Sequence, residues 1–500
     1  MSSRQALSSP PGFRLPELRD VVEGVGAEVL EPTTLESTYY DTSDLRLARA
    51  GAILRHRTDD GWVVRFETRE TPSDVPGGAP TAQGDHHFDG EPGSPPDAAL
   101  DLVGALVRTA RVVSVARLRT RRRRVELHDD AGNRLGDIVD DEVSVLGGGR
   151  VAARFRELDV AVDDAAPEGL ADAVVGRLRG AGAGPVDPTP KIVRALGWRA
   201  LEPPDVTSLG RLEPSPSGGD VVRAALEASV AHLIAHDAGV RLGDDPEDVH
   251  QARIATRRLR SSLRTFHALL EPEWAESLRD ELRSLGQELG EVRDTEVLLD
   301  RLRGRAERLH LDDQDAAKRL LNELLERWDA ARNTLLDTLR TKNYRELLDR
   351  LVDAAREPAL LPEADRPAVD VLPPLMRKPW KKLSEAVDAL DANPPDEALH
   401  EVRIRAKHCR YAAETITPVI GKQARTFARA MKDLQDVLGE HQDAVVAEQW
   451  LRDVAAKAEG PETFIAGELA SLERLDIERT RAAWPDVWQK ASKKRLRRWF

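Results

Sequence analysis

The sequence has one cysteine, Cys409, in 500 residues, so an intramolecular disulfide is excluded. Helical spacing puts Cys409 on an apolar face, which argues against a reactive thiol. Aromatic residues make up only 4% and do not interleave with the basic runs, which removes the stacking platform that recognition of nucleic-acid bases needs. No apolar run approaches the roughly 20 residues that cross a bilayer. Met1–Pro11 lacks the apolar core of a secretory signal, so cytoplasm is the expected compartment.

What is present is charge, and it is patterned. Hydrophobic residues at 41% and charged residues at 32% describe a folded chain long enough for two or more domains. The net charge of −13 would oppose a polyanionic partner if it were spread evenly. Instead, basic residues concentrate at Arg117–Arg124, Arg253–Arg264, Arg377–Lys382 and Lys490–Arg498.

One of these runs occurs twice. His250, Arg253, Arg257, Arg258 and Arg260 recur as His400, Arg403, Lys407, His408 and Arg410, each 150 residues on. Each copy is followed by a second shared element, Leu289-Gly290-Glu291 ending at Asp294 and Leu438-Gly439-Glu440 ending at Asp443, offset by 149. An internal duplication is the simplest reading. At about 100° per residue, His250, Arg253, Arg257, Arg260 and Arg264 form a stripe roughly 80° wide, with Ala252, Leu259, Leu263 and Phe266 opposite. His400, Arg403, Lys407 and Arg410 repeat it, although Glu414 stands where the first copy has Arg264. Between His250 and Arg264 no acid can pair these charges along the helix. Two such stripes in one domain call for a multivalent anion, or else for acidic helices elsewhere in the bundle.

The first two hundred residues have an α+β pattern. Strands are expected at 35–40, 52–58, 62–68, 115–127, 135–145 and 151–162, with helices near 96–108, 168–180 and after Pro190. A Pro-, Ser- and Gly-rich linker is expected over 201–219. From about 220 onward the periodicity is helical, and 358–374 divides two similar halves, about 220–357 and 375–500, read as two antiparallel bundles whose basic stripes face a shared groove. The basic end, Lys490–Phe500, is expected either to dock on the bundle or to extend the anion site.

The duplicated motif resembles that of the CHAD family, the conserved-histidine α-helical domain, over roughly residues 220–500. The resemblance implies two pseudo-symmetric four-helix bundles that bind inorganic polyphosphate, or another phosphate polymer, on a basic surface. The matching residues are His250, Arg253, Arg257, Arg258, Arg260 and Arg264, then His400, Arg403, Lys407, His408 and Arg410. His408 in place of Arg258 would make that contact pH-dependent in the second copy. Binding would require no cofactor, and polyphosphate granules are an expected location.

Residues 1–200 resemble the CYTH family, the triphosphate-tunnel fold, through Pro11-Gly12-Phe13, Tyr39–Arg49, Leu54–Arg57, Leu118–Arg122, Glu157–Asp159 and Pro190-Lys191. The resemblance implies an antiparallel β-barrel with a cationic lumen. Strand alternation puts Arg55 with Arg57, and Arg119 with Arg121 and Arg123. Arg65 and Lys191 complete the expected phosphate contacts, and Glu157 and Asp159 are the expected ligands of Mg²⁺ or Mn²⁺. Active members open on a Glu-x-Glu-x-Lys strand, and the corresponding positions here are about Ser2, Arg4 and Ala6. An upstream extension could not restore them, because Pro10-Pro11-Gly12 already aligns. The expectation is a degenerate tunnel that binds phosphate chains with impaired catalysis. The alternatives are a metal-dependent triphosphatase or polyphosphatase and a helical protein scaffold. Asp85-His86-His87 is expected in an exposed loop.

Overall fold

In the structure, a computed structural model, residues 3–66, 83–148, 150–187, 189–207, 212–457 and 459–500 are described. Ser2 and the expected strand residues 67 and 68 lie outside them. Two compact units divide between Pro204 and Asp205.

The first unit contains β1 (Ser3–Ser9), β2 (Val25–Val29), β3 (Thr33–Thr42), α1 (Arg46–Ala50), β4 (Ala52–Arg57), β5 (Gly61–Phe66), β6 (Gly84–Phe88), α2 (Asp97–Leu102), α3 (Gly104–Val107), β7 (Val112–Asp129), β8 (Arg134–Gly147), β9 (Arg150–Val162), α4 (Leu170–Gly180) and α5 (Lys191–Leu196). The sheet runs β1-β9-β8-β7-β3-β4-β5-β6, with β2 also on β7, and every pairing is antiparallel. Among the described residues the ladder ends at β1 and β6 without closing. Residues 84–88, expected in a loop, pair with β5 as an edge strand. They lack the apolar alternation that marks a strand in sequence, because this edge is largely exposed.

The two faces of the sheet are covered differently. On one, Leu7, Val125, Leu127, Ile138, Leu158 and Val160 pack beneath Leu170, Val174 and Leu178 of α4. On the other, Tyr39, Ala116, Leu118 and Val143 pack against Ile192 and Val193 of α5. That second face carries most of the ionisable residues discussed below, and α5 closes one end of it.

The second unit is all helical: α6 (Gly218–Leu242), α7 (Pro246–Thr265), α8 (Pro272–Ala306), α9 (Gln314–Arg340), α10 (Lys342–Arg356), α11 (Ala368–Leu375), α12 (Arg377–Asp388), α13 (Asp396–Ile420), α14 (Lys422–Ala455) and α15 (Pro461–Ala491). Local chemistry sets the ends of the stripe helices. Asp245 caps α7 by accepting from the Glu247 N–H, and Pro246 occupies its first turn. α13 stops at Gly421, whose φ of 74° suits a residue without a Cβ. The successive helix pairs α7/α8 and α13/α14 occupy equivalent places in the two copies.

The long helices α8 and α14, with 35 and 34 residues, run past their own bundles. Their distal halves share a core with α9 and α15, in which Leu298, Leu302 and Leu324 meet Leu451, Ile465 and Leu469. A polar junction lies beside this core. Glu473 of α15, fully buried, accepts from Arg301 and Arg305 of α8 at 2.7 and 3.3 Å, and Arg301 also donates to Glu440 and Asp476. Two guanidinium groups are thus withdrawn from water by carboxylates of the other half, an arrangement that depends on every partner being present.

Glu473→Gln should therefore lower the unfolding free energy by about 2–3 kcal/mol, the scale of a charge-assisted hydrogen bond lost from the interior. Urea denaturation monitored by far-UV circular dichroism would register it as a lower midpoint.

Candidate anion-binding sites

The two basic stripes converge. α7 packs on α13, with Val249, Ala252, Leu259 and Leu263 buried beneath the first stripe and Val402, Ala406, Cys409 and Ala413 beneath the second. The Arg257 guanidinium lies 5.0 Å from the centroid of the Tyr411 ring on α13. Arg264 contacts His408 Nε2 across the same seam.

The second shared element meets the first. Arg253 reaches Asp294 at 2.9 Å, and its guanidinium lies 3.7–3.8 Å from where a Gly290 Cβ would stand. In the second copy Arg403 lies 3.5–3.8 Å from the equivalent point on Gly439, and its charge counters the upward push of burial on the Asp443 carboxyl. The Leu-Gly-Glu elements therefore seat one arginine of each stripe, a role their spacing alone does not disclose.

Beyond these two acids the cluster is poorly compensated. Burial and neighbouring Arg257, Arg403 and Arg253 push the Lys407 amine down to about 7. Burial, with Arg253, Arg410 and Arg258 nearby, also lowers Arg257, and burial and neighbouring arginines lower Arg260 and Arg264. Arg410 is the exception, because Glu414 accepts from it at 2.6 Å. Among the described residues, His250 Nδ1, His400 Nδ1, Arg257 Nε and Arg403 Nε are buried with no hydrogen-bond partner. Arg258 lies near His232 of α6 as well as Arg257 and Tyr411 of the seam, and its charge acts on all three.

His408 does not behave as the sequence suggested. Burial and neighbouring Arg264, Arg405, Lys407 and Lys382 push its imidazole down to about 3, so at neutral pH it is an uncharged acceptor for Arg264. The group that titrates in the physiological range is Lys407.

In the first unit, strand register assigns the faces. Residues opposite one another in an antiparallel pair project to the same side. Arg55 is paired with Tyr39 and Val63, Arg57 with Ser37, Arg65 with Asp85, and Glu157 and Asp159 with Asp141 and Val139. All share the face closed by α5. Arg119 and Arg121 do not. On that face β7 presents Ala116, Leu118, Thr120 and Arg122, whereas Arg119 is paired with Glu36 on the opposite, exposed side. Arg122 and Asp141 are the members that sequence reasoning missed. In an unbroken run of four arginines, alternation does not say which residues face inward.

This face carries its own counter-ions. Arg65 pairs with Asp85, Arg55 with Asp60 at 2.8 Å, and Arg57 with Asp59 and Asp60. Arg122 donates twice to Asp141, at 2.9 and 2.8 Å, and this pairing raises its pKa. The Lys191 ammonium lies 2.7 Å from Asp141 and 2.6 Å from Glu157.

The divalent cation implied by the sequence resemblance does not fit these residues. Lys191 already bridges Asp141 and Glu157, supplying the positive charge that a metal would bring. The first strand is present, but Ala6 and Ser8 stand opposite Asp159 and Glu157 and add no carboxylate. Among the described residues no group of three or more His, Cys, Asp or Glu side chains is placed to hold a metal. No helix among them is long and apolar enough to cross a membrane.

Comparison with known proteins adds a lineage. The CHAD domain matches residues 224–452 and the CYTH domain residues 6–179. An uncharacterized protein of Mycobacterium tuberculosis strain H37Rv is 32% identical over 92% of this chain and 91% of its own length. Among solved structures, PptA from Streptomyces chartreusis is 24% identical, covering 55% of this chain and 100% of its own, with a TM-score of 0.45. The CHAD domain from the plant Ricinus communis is 27% identical, covering 56% of this chain and 95% of its own, with a TM-score of 0.46.

Lys407 links the cluster to stability. Its folded pKa of about 7 lies below the ordinary value of 10.5, so between these limits the unfolded chain holds the extra proton and stability rises with pH. Lys407→Met should remove that contribution and raise the thermal midpoint at pH 6 more than at pH 10. Melting curves of the two proteins at both pH values would show it.

Proposed function

Because this chain belongs to the family in which a CYTH domain precedes a CHAD domain, we propose that its helical unit binds inorganic polyphosphate at the seam of the two stripes. The sheet unit is proposed to be a tunnel relative with impaired catalysis. The two domain types associate the chain with phosphate compounds; the choice of polyphosphate and of the helical unit rests on charge balance. The observation that carries it is the group Arg253, Arg257, Arg403 and Lys407, in which burial and the neighbouring cations lower Arg257 and Lys407, against the sheet face, whose cations hold carboxylates.

A linear polyanion suits that seam on three counts. It supplies repeated negative charge along the direction in which the stripes run, and each arginine can offer a fork of donors to phosphate oxygens. Its charge also offsets the neighbouring cations that, after burial, lower Arg257 and Lys407. Finally, it needs no base recognition, which the aromatic residues at the seam do not provide: Tyr411 is covered by Arg257 and Arg410.

Binding should be coupled to protons. An anion beside Lys407 draws its pKa back up toward 10.5, so the complex takes up a proton above about pH 7 and affinity falls as pH rises from 6 to 9. Titration of the full chain with long-chain polyphosphate should show salt-sensitive binding, weakened at least about tenfold by Arg257→Ala, since a charge-assisted hydrogen bond contributes roughly 1.5–3 kcal/mol. Absence of binding at low salt would refute the reading.

A second reading, a metal-dependent triphosphatase in the sheet unit, draws on one observation: Asp141, Glu157 and Asp159 share a face with Arg55, Arg57 and Arg122. Phosphate release from tripolyphosphate under Mg²⁺ or Mn²⁺, abolished by Glu157→Gln, would establish it. The self-paired face predicts no such release.

A further inference from the structure

Two basic runs, Arg377–Lys382 and Lys490–Arg498, lie outside the two stripes. The fold brings them together. Trp380 of α12 stacks on Trp488 of α15, with centroids 5.7 Å apart and planes 14° from parallel, and meets the edge of Phe427 of α14 at 5.9 Å. Phe427 in turn contacts Trp499 and Phe500 at 6.3 and 5.4 Å. The Arg497 guanidinium lies 4.7 Å from the Trp380 centroid, and Arg377 donates to the Phe500 carbonyl at 3.4 Å. An aromatic clamp thus fastens the short turn Lys494–Arg497 beside the start of α12.

The clamp settles which side chains remain available. Lys493, Lys494, Arg495 and Arg498 are exposed, as are Arg377, Lys378, Lys381 and Lys382. Among the described residues no carboxylate pairs with Lys378, Lys382, Lys494, Arg495 or Arg498; Lys381 alone has a partner, Glu385 at 3.6 Å. On α12, Arg377 and Lys381 form one row and Lys378 and Lys382 a second row about 100° round the helix. The first row adjoins the clamped turn. The second lines a cavity of about 580 Å³ whose wall also includes Arg264, the uncharged His408, and Arg279 and Arg405, which pair with Glu276 and Glu401 on their own helices. Positive charge therefore runs from the end of the stripe seam, through this cavity and over α12, to the clamped turn.

We propose that α12 and the clamped 493–500 segment form a second anion-binding platform that continues the seam, so that one long phosphate polymer occupies both. This inference rests on the reading of the seam given above. The aromatic faces are engaged by one another and by Arg497, leaving none for stacking bases, which favours a bare phosphate chain over a nucleic acid. Cavity and platform together extend the track, and affinity gained through them depends on chain length.

The test compares full-length protein with a Lys494→Glu/Arg495→Glu/Arg498→Glu variant, titrated with long-chain polyphosphate and with tripolyphosphate across a salt series. These three side chains are exposed, and an unchanged melting curve confirms that the variant folds. The platform predicts that long-chain affinity falls about tenfold or more at roughly 0.1 M salt, with the log–log salt slope reduced by about 2 for three lost phosphate contacts. Tripolyphosphate affinity, set by the seam, stays within about twofold. Unchanged long-chain affinity and slope would overturn the platform while leaving the seam intact. Preferential binding of single-stranded DNA of matched charge, lost in the variant, would overturn the assignment to a phosphate chain. Failure of the parent protein to bind either polyphosphate would reject the seam, and the platform with it.

Discussion

The helical unit depends on holding like charges close together where water does little to screen them. Arg257, Lys407 and Arg403 meet because the apolar faces beneath them are fixed. Leu259 and Leu263 of α7 and Val402 and Cys409 of α13 are fully buried, so rotating either helix to relieve the repulsion would expose core. Burial, and after it this repulsion, drive the Lys407 amine down to about 7. Hydrophobic packing maintains an electrostatic arrangement that the charges alone would disperse, and the anchors at Arg253–Asp294 and Arg301–Glu473 keep the long helices in register around it.

The two units treat cations in opposite ways. In the sheet unit each strand that presents an arginine to the shared face has a carboxylate within reach, and the result is a set of closed pairs: Arg55–Asp60, Arg122–Asp141, Lys191–Glu157. An incoming anion must displace these carboxylates and incur their repulsion. At the helical seam an anion finds donors already desolvated and unpartnered, so part of the cost of removing water has been met by folding. The difference lies in the placement of acids, since both surfaces are rich in arginine.

Much of this was legible in the sequence where a repeat or a period carried it. The 150-residue offset points to the duplication, and 3.6-residue spacing separates the basic and apolar faces of α7 and α13. What remained hidden was information held by partners distant in the chain. The assignment of Arg119 and Arg121 went to the wrong face because register belongs to a strand pair. Edge strand β6 resembles a loop in sequence because its solvent-facing residues lack apolar alternation. The depressed amine of Lys407 depends on Arg257, 150 residues away, and the role of Gly290 and Gly439 appears only when an arginine from another helix lies across them.

The departures between the two copies give the seam a polarity. Arg410 is neutralised by Glu414, at the position where the first copy has Arg264, so the second stripe loses positive charge at that end. His408 replaces Arg258 and, held neutral among cations, becomes an acceptor for Arg264. Arg264 is thereby oriented across the seam without a carboxylate that would cancel it. A perfectly duplicated site would present two equivalent ends. Here one end leads past Arg264 and Arg405 to Lys378 and Lys382 of α12, whereas near Arg253 and Arg403 it is bounded by Asp294 and Asp443. The differences between the two copies thus give the cluster a direction, acidic at one end and open to further positive charge at the other.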